Sequence, residues 1–169
     1  MIEIKRDAYL QQLTMRKDNG MIKVITGIRR CGKSFLLFNI FKRYLQENGV
    51  DTDHIIEIAL DGIENEELRD PKLCFKYIKD AMKDDDKYYL LLDEVQFMPR
   101  FEEVLNSLLR MSNIDVVTDD GRAQRNGGIS VQMKTFIDHT YPIWQHLGKK
   151  EVFKHIKTIE NNWLTVIKV

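Results

Sequence analysis

The chain of 169 residues predicts a doubly wound, parallel α/β sheet. Three observations carry that expectation. Short β-branched or aliphatic runs alternate with amphipathic helical stretches over about the first 118 residues. The run Tyr88-Tyr89-Leu90-Leu91-Leu92 is apolar at every position, as a central parallel strand covered on both faces should be. The octapeptide GIRRCGKS, Gly27 to Ser34, stands between a strand and a helix, at a strand-to-helix turn.

Each element has its own warrant. Ile4, Ala8, Leu10, Leu13 and Met15 recur at loosely helical spacing, so residues 3–17 read as a leading helix, closed by the turn Asp18-Asn19-Gly20. Residues 22–26 are a β-branched strand. Leu36, Leu37, Ile40, Phe41, Tyr44 and Leu45 share one helical face, which predicts a helix over 34–47, ended by Asn48-Gly49. Residues 54–60 (HIIEIAL) form the second strand, broken by Asp61-Gly62, and the acidic run from Glu64 to Glu67 reads as a solvated loop. Asp70-Pro71 has the form of an N-cap with proline at the first helical position, opening a helix to about Lys83. Residues 88–92 are the third strand; Pro99 precedes a helix carrying Phe101, Val104, Leu105, Leu108 and Leu109; residues 114–118 are the fourth strand. The pattern then weakens. Residues 119–130 (DDGRAQRNGGIS) read as a loop or linker, and 131–169 as a helix followed by a strand that ends in WLTVIKV.

Composition bounds the function. Twenty-six basic residues balance 26 acidic ones, so bulk charge gives no reason to expect nucleic acid as a partner. No apolar run approaches the ~20 residues that span a bilayer, and MIEIKRDAYLQQL lacks the apolar core of a signal peptide. The two cysteines, Cys31 and Cys74, form no CxxC pair, so no zinc site is expected; thiols fit a reducing cytoplasm. His54, His139, His146 and His155 lack metal-ligand spacing and read as surface or capping residues.

GIRRCGKS satisfies the phosphate-loop pattern G-x-x-x-x-G-K-[ST] through Gly27, Gly32, Lys33 and Ser34. Glycine lets main-chain N–H groups converge on phosphate oxygens without a Cβ in the way. Lys33 then reaches the β- and γ-phosphates and Ser34 coordinates Mg²⁺. The residues expected to line a nucleotide are Gly27, Ile28, Arg29, Arg30, Cys31, Gly32, Lys33, Ser34 and Phe35. Arg29 and Arg30 are bulky and must turn outward, either into solvent or towards a phosphate or a neighbouring acid. The competing reading is a bare glycine turn, which the flanking strand and helix disfavour.

The third strand ends in Asp93-Glu94, 60 residues after Lys33. In phosphate-loop enzymes an aspartate at such a strand end supports Mg²⁺, and a glutamate just beyond it can orient and deprotonate a water. Asp93 joins Ser34 as a metal candidate, and Glu94 joins Lys33 as a catalytic candidate. Taken alone, an acidic turn after a buried strand is common; the loop before it gives the pair its meaning. Glu94 also speaks against a kinase, which has no use for an activated water.

IKRDAYLQQL, IKVITGIRRCGKS and YYLLLDEVQ together resemble the AAA-superfamily ATPases of bacteria and archaea that carry a GxRRxGKS loop and an LDE[IV]Q acidic strand. The resemblance covers about residues 1–117 and implies ATP with Mg²⁺ and a homo-oligomer or protein partner; without a matching sensor asparagine or a secure arginine finger, hydrolysis is expected to be slow or absent. It also suggests that Gln96 helps to position water, a turn-capping role being the alternative. Such ATPases follow the fourth strand with a polar residue that senses the γ-phosphate. Here Thr118 is followed by Asp119-Asp120, which would repel that phosphate if they faced it. The expected organisation is an ATPase domain over 1–118 and a divergent segment over 119–169: a shortened member, a deletion product or a distinct extension. Arg122 and Arg125 are weak candidates for an arginine finger, and Trp144 and Trp163 read as packing residues. The alternative function is a non-catalytic ATP-binding interaction module, or a truncated remnant of a longer ATPase.

Overall fold

The computed structural model describes residues 7–27, 30–119 and 164–168. Five strands among them form one sheet in the order β2-β3-β4-β1-β5, every neighbouring pair parallel. The strands are β1 (Ile22–Thr26), β2 (Ile55–Ala59), β3 (Tyr88–Asp93), β4 (Ile114–Asp119) and β5 (Leu164–Lys168). Because all run the same way, all five C-termini lie along one edge, and the loops leaving that edge can meet. β4 lies between β1 and β3, so the last residue of β4 stands between the octapeptide loop and the acidic pair.

Helices cover both faces. α1 (Asp7–Met15) and the helix after the loop lie on one, with α4 (Pro71–Ala81) and α5 (Phe101–Leu109) on the other. Alternation along β3 divides the core. Tyr88, Leu90 and Leu92 pack with Cys74, Ile78, Val104, Leu105 and Leu108. Tyr89 and Leu91 pack with Leu13, Leu36, Leu37, Phe41 and Leu45. An all-apolar β3 is therefore buried throughout, as the sequence predicts.

The local signals hold for α4. The Asp70 carboxylate accepts from the backbone N–H groups of Lys72 at 2.9 Å and Leu73 at 3.0 Å, and Pro71 occupies the first turn. The helix over 34–47 differs from expectation. It starts as α2 (Lys33–Phe35), widens into a π segment (Leu36–Phe41) and resumes as α3 (Lys42–Glu47). No glycine or proline marks the widening; it keeps Leu36, Leu37 and Phe41 all buried against the sheet. The acidic run over 64–67 is not an open loop but part of a 3₁₀ stretch, Ile63–Arg69, whose Arg69 side chain donates to the Leu60 carbonyl at 2.8 Å.

The C-terminal strand expected within WLTVIKV is present as β5. It pairs with β1 from Ile22↔Leu164 to Thr26↔Lys168, and Ile167 is fully buried. The end of the 119–169 segment thus completes the sheet of the first unit. Asp119, expected to open a loop, is instead the last residue of β4. The helix expected after residue 130, Arg122, Arg125, His139, Trp144, His146, His155 and Trp163 fall outside the described residues. His54 is a surface residue, facing the Tyr88 ring at 4.5 Å and hydrogen-bonded to Asp84 at 3.2 Å.

At the opposite edge of the sheet, Lys23 of β1 and Asp115 of β4 form a fully buried ion pair. The Lys23 ammonium also donates to the Met21 carbonyl at 2.8 Å, and the Asp18 N–H donates to Asp115 at 3.3 Å. The pair fastens the two central strands and the turn before β1.

Candidate functional site

The site assembles at the C-terminal edge of β1, β4 and β3. β1 ends at Thr26 and the chain turns out through Gly27, which is buried. The turn needs positive φ twice: Arg30 has φ 65° and Gly32 has φ 84°. Gly32 sits directly before the helix and adopts a backbone that costs a residue with a Cβ about 1 kcal/mol or more. Arg30 is exposed, which agrees with outward-turned loop arginines; Ile28 and Arg29 lie outside the described residues. Cys31 is half-buried in the turn. Ser34 and Phe35 open the helix on its exposed side.

Lys33 is 7% exposed although it is a lysine. Its ammonium donates to the Gly27 carbonyl at 3.5 Å and lies 4.0 Å from the Asp119 carboxylate. The side chain therefore folds back over its own loop and faces the ends of β1 and β4.

Across β4 stand Asp93 and Glu94. Asp93 is 3% exposed. Burial pushes its carboxyl above the ordinary range, opposed by hydrogen bonds from the Ser34 and Asp119 side chains. That places the loop serine and the strand aspartate, well apart in the sequence, beside each other. Asp93 Oδ1 is buried with no hydrogen-bond partner among the described residues. Glu94 has φ 55°, in the left-handed region that a non-glycine residue enters at a cost of about 1 kcal/mol or more. Two contacts hold it there. Its N–H donates to Asp119 Oδ1 at 2.5 Å, and its carboxylate accepts from the Gln96 amide. Burial raises the Glu94 carboxyl, Gln96 lowers it, and Asp93 raises it further. In this arrangement Gln96 holds Glu94.

Asp119 connects these groups. It is fully buried, and its carboxyl lies well above the ordinary carboxylate range through burial and the nearby charges of Asp93 and Glu94. Its Oδ2 has no hydrogen-bond partner among the described residues. The sequence alone marks Asp119 as a loop residue and a departure from the family pattern that would repel a γ-phosphate if it faced one. Its central position follows from strand order, which places β4 between the two motifs. Asp61, after β2, adds a further negative charge near Asp93 and Glu94, and no motif signalled it.

Among the described residues, Lys33 thus lies with the carboxyl groups of Asp93, Glu94 and Asp119 across the ends of three adjacent strands, and two buried carboxyl oxygens have no hydrogen-bond partner. Such a set can hold a divalent cation and take a proton from water, and the turn before the helix is suited to anionic oxygens. Among the described residues, His54, Asp84 and Asp86 bring three potential metal-ligand atoms within 4.8 Å of one another; this group lies at the opposite end of β2 and β3 and is largely exposed.

The chain is 35% identical over 126 residues to an uncharacterized protein of Haemophilus influenzae, an alignment covering 74% of this chain and 31% of that protein. It therefore spans about a third of the length of that relative. Among solved structures it is similar to C. elegans PCH-2, with 14% identity and a TM-score of 0.45 over 95% of this chain and 40% of that one. The family model described as AAA domain matches residues 19–125, a span holding the loop, the acidic pair and Asp119. The chain belongs to the AAA domain family, a phosphate-loop, nucleotide-binding fold of ATPase type.

Proposed function

We propose that this domain binds ATP with Mg²⁺ at the Gly27–Ser34 loop and hydrolyses it slowly. The observation that carries the reading is the convergence of Lys33, Ser34, Asp93 and Glu94 at one end of the sheet. The donor set fits a hard divalent cation: a serine hydroxyl beside a buried carboxylate with one oxygen that lacks a donor among the described residues. Ser34 and Asp93 would hold it, and when bound it neutralises phosphate charge.

The chain's own groups account for the rest. Loop N–H groups and Lys33 take the phosphates. Glu94, half-buried and held by Gln96, accepts the proton of a water. The water oxygen bonds to the γ-phosphorus, the bond to the β–γ bridging oxygen breaks, and ADP and phosphate leave. A carboxyl raised by burial is a better base at neutral pH than an ordinary one. Adenine rather than guanine rests on family membership, and the chain has no N/T-K-x-D motif. A half-buried and a buried cysteine, neither in a disulfide, fit a cytoplasmic setting.

A second reading, a domain that holds nucleotide without turning it over, is favoured by one observation: a carboxylate, Asp119, stands beside Lys33. Phosphate release by the whole chain and by K33A and E94Q separates the two. The first reading expects slow release that K33A abolishes and E94Q cuts by about 10²-fold or more. Release that survives both substitutions refutes it; saturable nucleotide binding without release supports the second.

A further inference from the structure

We propose that His54, Asp84 and Asp86 form a second metal site, which takes one divalent transition-metal ion of the zinc class. This site is separate from the nucleotide site, which lies at the other end of the sheet. His54 ends the 3₁₀ turn Thr52–His54, directly before β2. Asp84 and Asp86 lie in the turn between α4 and β3. β2 and β3 are parallel neighbours, with Ile55 opposite Tyr89, so the residues that precede the two strands meet. One atom from each of the three side chains then lies within 4.8 Å of the other two. His54 and Asp84 are 30 residues apart, so no local spacing signals the set.

The imidazole separates this set from a solvated acidic turn. Carboxylates alone suit Ca²⁺ or Mg²⁺; a neutral imidazole nitrogen beside two carboxylates suits Zn²⁺, Co²⁺ or Ni²⁺. The ring is preorganised. It packs against the Tyr88 ring with 4.5 Å between centroids, and its side chain is 20% exposed. Its Nε2 stands 3.2 Å from Asp84 Oδ1. Two ligand atoms bonded at about 2.0–2.1 Å to one tetrahedral ion are about 3.3 Å apart, so this pair already has the spacing of a chelate. The same Asp84 oxygen accepts the Tyr88 hydroxyl at 3.2 Å and the Asp86 N–H at 3.0 Å, which fixes it in place. Among the described residues no side chain pairs with the Asp86 carboxylate, and rotation of this exposed side chain closes the third contact. Lys87, next in sequence, turns away: its ammonium donates to the Ser112 carbonyl at 3.1 Å and lies 3.9 Å from Asp18. An ion here displaces the proton between His54 and Asp84 to solvent and leaves its remaining positions to water. It ties the start of β2 to the turn before β3.

Calorimetric titration of the whole chain with Zn²⁺, beside H54F, D86N and D93N, tests this. H54F keeps an aromatic ring against Tyr88 and removes the nitrogen. D86N removes the charge of an exposed side chain, and D93N alters the nucleotide site alone. Wild type should bind Zn²⁺ saturably; H54F and D86N should each weaken that binding about tenfold or more, and D93N should change it less than about twofold. Co²⁺ should compete for the same site, and Mg²⁺ at equal concentration should not displace Zn²⁺. Melting temperatures without metal check that the variants fold; if H54F does not, D86N decides. Wild type that shows no saturable Zn²⁺ binding overturns the proposal. Binding that a folded H54F or D86N leaves unchanged puts the ion elsewhere and also overturns it, as does displacement by equimolar Mg²⁺.

Discussion

Two cysteines in one small domain should behave oppositely, and the difference reports on the site. Cys74 lies in α4, buried in the core beneath β3. Burial pushes its thiol from 9.0 up to about 12. Across that window the unfolded chain ionises the thiol and the folded chain does not, so the folded state binds more protons and stability falls as pH rises. Comparing urea unfolding of wild type and C74V at pH values above 9 should show a shallower fall for C74V. Cys31 is half-buried in the phosphate loop. A thiol reagent should modify Cys31 in the native chain and Cys74 only on unfolding, and Mg·nucleotide should protect Cys31. Equal labelling of both in the native state would contradict the burial described.

At the scale of elements, the sequence shows plainly where burial and capping decide, and less where topology decides. β1, β3, α4 and α5 could be placed because their apolar periods and the Asp70-Pro71 cap are local features. The π segment over Leu36–Phe41 could not, since the apolar period there is that of an ordinary α-helix and no glycine or proline marks the widening. Asp119 looked like the start of a polar loop because its neighbours are polar; tertiary pairing with β1 keeps it in a strand. Lys23 gave no sign of its role either. A lysine within a β-branched run suggests a solvated face, yet it is buried against Asp115 of the adjacent strand. That pair yields a test of how β1 and β4 are joined. K23M should cost roughly 3–5 kcal/mol in urea unfolding by leaving Asp115 buried and unpaired. K23M combined with D115L should recover most of the loss, since an apolar replacement of both partners removes the unpaired charge. A negligible effect of K23M would mean that Asp115 finds water or another partner.

At the scale of the whole molecule, the described residues form a five-stranded parallel sheet with the candidate site on one edge. The strand order carries the functional argument, because it brings together an octapeptide after β1, a carboxylate pair after β3 and a buried carboxylate ending β4. No helix among the described residues is long and apolar enough to cross a membrane. The central claim is that Lys33 and the β3 carboxylates form one nucleotide site. Its most direct test is the melting temperature of the whole chain with saturating ADP, with Mg²⁺ or with a chelator, beside K33A. The account predicts a rise of several degrees with Mg·ADP, as expected for a ligand at about 100 times its dissociation constant contributing ~2.7 kcal/mol. It predicts a smaller rise with chelator and none in K33A. An unchanged melting temperature for wild type under all conditions, or an equal rise in K33A, would contradict it.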